Sequence, residues 1–160
     1  MLEPMMKFLM WATVAVALIC PAQAQERQWS LDATDKQAFL VFGVPDTDDV
    51  GLSFWCEAKG GTMAVYLPEP LMTLKQNQSV PMTLSVDGSK TVLAGHTARD
   101  EASGKLTVEG KFKPSDKLFT QLKSGNSISI SVKGHTDTFP LADADFEGLA
   151  DACSGANSAN

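Results

Sequence analysis

The chain has 160 residues, with 13 Lys and Arg against 19 Asp and Glu and a formal net charge of −6. An acidic chain gains nothing electrostatically from a phosphate backbone or an anionic lipid surface, so nucleic-acid and membrane-surface binding are set aside. Its length and 44% apolar content suffice for one domain with a real core.

Residues 1–24 read differently from the rest. Lys7 supplies a positive charge, Phe8 to Ile19 is an apolar run, and Ala22-Gln23-Ala24 has the small-x-small pattern of a signal peptidase site. The run falls short of the about 20 apolar residues that a membrane-spanning helix needs. It reads as a secretory signal peptide cleaved before Gln25. Cys20 follows Ile19, where lipid attachment wants Gly, Ala or Ser, and so is expected to leave with the signal. Cleavage removes Glu3 and Lys7, one charge of each sign, and the net charge stays at −6. The expected destination is the periplasm or the exterior. Both are oxidising, and the two remaining cysteines, Cys56 and Cys153, are expected to form a disulfide. With no Cys-x-x-Cys spacing, that bond is structural rather than redox-active.

Residues 25–153 then read as a single β domain. Trp29 and Leu31 flank Ser30 in a short edge strand, and Ala38 to Phe42 is apolar on both faces, as a doubly covered strand would be. Pro45 to Asp49 closes a hairpin. The return strand, Leu52 to Ala58, puts Leu52, Phe54 and Cys56 on one face and Ser53, Trp55 and Glu57 on the other. Gly60-Gly61 turns the chain into a strand from Thr62 to Leu67, which Pro68 and Pro70 end. Residues 71–78 form a connection. Met82, Leu84 and Val86 alternate with polar residues up to a strong Asp87-Gly88 hairpin turn, and the return strand covers Thr91 to Thr97.

After a turn at Ser103-Gly104, Leu106 to Phe112 is a half-buried strand with a charged outer face. Pro114-Ser115-Asp116 opens a helix of about two turns that Gly125 stops. Ser127 to Lys133 and Thr138 to Leu141 add strands. A last helix starts at Asp143 or Asp145 and aligns Phe146, Leu149, Ala150 and Cys153 on one face. Residues 154–160 are a small polar tail, expected to be disordered. About eight short strands with turns near every ten residues predict an antiparallel β-sandwich, or a partly open barrel, with two short helices.

The chemistry is sparse. His96 and His135 each stand beside a glycine at a strand end, and a small hydrolase would have to use one of them with a serine and a carboxylate such as Asp100 or Asp137. No Gly-x-Ser-x-Gly elbow positions a nucleophile. Asp46, Asp48 and Asp49 in one turn have the right chemistry for calcium, but they lack EF-hand spacing, and a solvated acidic turn explains them as well. Trp55, Tyr66 and Trp29 are candidates for an exposed aromatic patch that meets a partner or a glycan, unless they pack beneath the helices or the 68–78 connection. No cofactor is expected.

The order of these features resembles a group of small exported proteobacterial β-proteins. They are an N-terminal signal, Trp29, Cys56 ending an early strand, serine- and valine-rich strands about Asp87-Gly88, a short Phe/Leu helix, Phe139-Pro140-Leu141, and a last helix ending Leu149-Ala150-Asp151-Ala152-Cys153. The likeness is to the type VI secretion-associated TagO-like group and, more distantly, the invasion-associated locus B group. It implies a periplasmic β-sandwich with a Cys56 to Cys153 bond and an accessory role without catalysis. The expectation is a binding or interaction module of the bacterial envelope with a protein partner. The alternatives are an inhibitor of a basic hydrolase such as a lysozyme, and the histidine hydrolase.

Overall fold

The computed structural model describes residues 26–68, 74–100 and 104–154. The signal segment with Cys20, the start of the 71–78 connection, Pro70, Ser103 and residues 155–160 of the tail lie outside them. In chain order the elements are β1 (Gln28–Ala33), β2 (Gln37–Gly43), β3 (Val50–Glu57), β4 (Met63–Pro68), β5 (Ser79–Val86), β6 (Ser89–Arg99), β7 (Leu106–Phe112), α1 (Lys117–Ser124), β8 (Ser127–Val132), β9 (His135–Pro140) and α2 (Phe146–Ser154). Ser154, expected in the tail, is the last residue of α2.

Of the two arrangements the sequence allows, the partly open barrel is the one adopted. The nine strands form one antiparallel sheet in the order β1-β2-β3-β4-β7-β6-β5-β8-β9, and among the described residues no second sheet faces it. The sheet curls into a half-barrel around the core. Alternation assigns the faces: Leu40, Phe54, Val65, Val108, Met82 and Ile130 point inward, where Leu118 and Leu122 of α1 and Phe146 and Leu149 of α2 meet them. Both helices therefore pack on the inner face, α1 against β5 and α2 against β1, β2 and β3.

One close approach within the sheet has a local cause. Gly95 of β6 and Gly110 of β7 are direct partners. A Cβ at Gly95 would lie 2.6 Å from the Val80 carbonyl oxygen, and one at Gly110 would lie 3.1 Å from Leu93 Cδ1. With no side chains at this pair, the strands close in and Leu93 and Met82 fill the space. Curling brings the outermost strands together. Trp29 Nε1 of β1 donates to the Pro140 carbonyl at the end of β9 at 2.8 Å. The Phe42 and Phe139 rings meet edge-on beside it, 6.0 Å between centroids.

The ends of the elements follow the expected chemistry. Asp87 and Gly88 have φ of 45° and 88°, the left-handed pair that a two-residue hairpin turn needs. The Asp87 carboxylate accepts the backbone N–H of Asn126 at 2.8 Å and of Ser127 at 3.1 Å, tying this turn to the start of β8. Those N–H groups hold the Asp87 carboxyl below the usual range. Asp145 caps α2, its Oδ1 accepting the Gly148 N–H at 2.8 Å. The buried face of α2 is Phe146, Leu149, Ala152 and Cys153, and Ala150 is only partly covered. Cys153 is bonded to Cys56 with the Cα atoms 5.7 Å apart, closing a separation of 97 residues.

Candidate functional site

Side chains on the outer face of β2, β3, β4 and β7 build a groove of about 520 Å3. Trp55 is central. Its cross-strand partners are Phe39 on β2 and Ala64 on β4. Phe39 stacks against it with the rings 21° from parallel and centroids 6.2 Å apart. Ala64 leaves room for the indole to reach across, and Nε1 donates to Glu109 Oε2 on β7 at 3.2 Å. Trp55, with both sequence neighbours polar, is thus half-buried in an open groove, because neither helix packs on this face.

Tyr66 forms the second plane. It is the direct partner of Ser53 on one side and of Glu109 on the other. Its hydroxyl is hydrogen-bonded to the Asp100 carboxylate. Burial, followed by the charge of Asp100 and the hydrogen bond to it, pushes the phenol up to about 12, and the Glu109 charge acts in the same direction. Both aromatic side chains therefore have their polar ends tied to carboxylates, which fixes the rings and presents their faces.

Two hairpin tips flank the platform at one end of the sheet, supplying Asp48 from between β2 and β3, beside Val50 at the start of β3, and Asp100 and Lys105 from between β6 and β7. The first tip is braced. A register shift at Phe42/Gly43 turns it, and a side chain at Gly43 would collide with the Asp49 carbonyl. Thr47 Oγ1 donates to the Val44 carbonyl at 2.8 Å, and Arg27 donates through Nη2 and Nε to both oxygens of Asp49. A more polar cleft of about 420 Å3 continues past Asp48, Val50, Pro68 and Lys105 to Asp137 and Phe139.

The expected site residues divide accordingly. Trp55 and Tyr66 share the groove, whereas Trp29 lies on the opposite face, packed against Phe42, Phe54 and Phe146, so the three-residue patch loses Trp29 to the core. The packing alternative holds for Trp29; neither helix covers Trp55, and residues 69–73 of the 68–78 connection lie outside the described residues. Asp46, Asp48 and Asp49 do not converge: Arg27 takes Asp49, and among the described residues no group of three His, Cys, Asp or Glu side chains is placed to hold a metal ion.

His96 stands on the outer face opposite Glu109. His135 pairs with Asp137, Nε2 to Oδ2 at 3.2 Å, and lies opposite the core residue Val132. With β5 and β8 between them and the sheet separating their faces, the two histidines do not come together.

Sequence reading missed Phe39, Glu109 and Lys105. Phe39 looked like a residue of a doubly covered strand and Glu109 like part of a solvated face. Their parity with Trp55 and Tyr66 becomes visible only when β2, β3, β4 and β7 are set in register. Comparison of the chain with family models, with curated proteins and with solved structures finds no match.

Proposed function

We propose that the chain is a non-enzymatic binding protein, exported to the periplasm or beyond, that serves as an accessory module of the bacterial envelope and meets its protein partner through the outer-face groove. One observation carries this reading. Trp55 and Tyr66 are rigidly held with their faces open on the side of the sheet that both helices leave bare. Fixed aromatic planes left partly exposed in a groove that no other described element covers are contact surface.

Three further points agree with it. A disulfide belongs to an oxidising compartment. No helix among the described residues is long and apolar enough to cross a membrane. The resemblance to the TagO-like group points to an accessory envelope role. A second reading, inhibition of a basic hydrolase such as a lysozyme, has its own support: Asp48, Asp100 and Glu109 outnumber Lys105 along the groove.

The test is a photo-crosslinking residue placed at Val41, inside the groove, or at Val92, exposed elsewhere on the outer face. Expression in the native host should give a discrete adduct from Val41 and none from Val92. Equal labelling from both positions, or none from Val41, would sink the assignment of this groove.

A further inference from the structure

We infer that the groove receives an arginine side chain from a basic protein partner, the guanidinium lying flat on Trp55 with its edge toward Glu109. This rests on the reading of the groove as the contact surface and adds the chemistry of what enters it.

Acceptors outweigh free donors at the centre of the groove. The Trp55 N–H is spent on Glu109 and the Tyr66 hydroxyl on Asp100. Apart from Ser53, buried between Val41 and Tyr66, the centre of the platform therefore offers π faces and carboxylate lone pairs. An ionised carboxylate has about four acceptor positions, so Glu109 keeps capacity after taking the indole N–H at Oε2. Its other oxygen faces Lys111 at 3.7 Å, a long contact to an exposed side chain. A ligand matched to this surface must bring donors and positive charge. A neutral sugar, whose hydroxyls both donate and accept, matches it less well, for the donors in the lining are few: Gln37, Lys105 and Ser53, the last buried between Val41 and Tyr66.

The electrostatic field favours a cation as well. Negative aromatic faces and three carboxylates reinforce one another, against Lys105 in the groove and Lys111 beside Glu109 at its edge. Tyr66 senses the same field, since Asp100 and Glu109 both oppose its ionisation. The net charge of −6 steers a basic partner toward the molecule as a whole.

Shape then selects arginine over lysine. Phe39 and Trp55 are stacked, their planes 21° from parallel, and the pair ends in a planar aromatic face. A planar guanidinium stacks on such a surface while directing N–H groups sideways to a carboxylate. A lysine ammonium is a point charge that cannot use the plane.

The test uses the exported, disulfide-bonded chain, labelled with 15N and titrated with acetyl-Gly-Arg-Gly-amide while the Trp55 indole N–H signal is followed. The peptide should move that signal in the millimolar range. Acetyl-Gly-Lys-Gly-amide should bind several-fold more weakly, and Glu109→Gln should weaken the arginine peptide about tenfold. Glu109→Gln keeps the shape of the side chain, and its own spectrum reports whether it folds. Trp55→Leu, followed at the Tyr66 backbone N–H, supplies the same comparison if it does not.

An arginine-induced shift that is unchanged in both variants would overturn the inference, as would a tetramer of N-acetylglucosamine shifting the signal where the arginine peptide does not. If the arginine peptide fails while the Val41 adduct persists, the groove remains the contact surface and only the guanidinium is wrong. Loss of both removes the groove assignment as well.

Discussion

Removing the Cys56 to Cys153 bond tests how much of this fold depends on one covalent link. Both cysteines are 1% exposed, and the bond ties β3 to α2 over 97 residues. Constraining a loop of that length in the unfolded chain is worth about 4.7 kcal/mol in the chain-entropy model. That is a large part of a typical stability of about 5 to 15 kcal/mol. The paired variant Cys56→Ala/Cys153→Ala removes the link and also two packed sulfur atoms, whereas reduction of the native chain removes the link and keeps the atoms. Urea unfolding followed by circular dichroism should show the midpoint falling by about 2 to 3 M in the reduced protein. The alanine pair should fall further, by the contribution of the lost packing. A drop below about 0.5 M on complete reduction would refute the reasoning, because α2 would then be held by Phe146 and Leu149 alone.

Two more outcomes follow from single residues. Tyr66 is the only tyrosine, so its ionisation can be read directly from ultraviolet absorbance. It should titrate near 12 in the folded protein. Because the folded value lies above the unfolded one, the stability linked to Tyr66 is complete below about pH 10 and is lost as pH rises from there through 12. Asp100→Asn should lower the folded midpoint, and an unchanged midpoint would show that Asp100 plays no part in raising it. Gly95→Ala should destabilise the fold by about 1 to 3 kcal/mol, because its methyl group meets the Val80 carbonyl rather than a movable side chain. A melting temperature within a degree of the native protein would contradict the close approach at this pair.

What could be read from the sequence was what depends on neighbours along the chain. The parity of Leu52, Phe54 and Cys56, the Asp87-Gly88 turn and the helical spacing of Phe146, Leu149 and Cys153 are all local, and each stands as expected. Trp29 could not be assigned, because a tryptophan between polar residues does not reveal which face of a curled sheet it occupies. Gly95 and Gly110 were visible as residues, but their meaning comes from being opposite each other, and that requires the register of β6 on β7. The groove is further still from the sequence. Phe39, Trp55, Tyr66 and Glu109 come from four strands and share a site only through three registers at once.

Trp29 also bears on how copies of this chain behave toward one another. An open sheet ends in two strands with unpaired N–H and C=O groups, each a template on which another molecule can add a strand. Here β1 and β9 are drawn together where Trp29 reaches the Pro140 carbonyl, and Pro140 itself has no N–H to offer. The bond that closes the seam thereby hides part of both growing ends, and one indole N–H helps keep the protein from aggregating as well as holding the sheet in its curl.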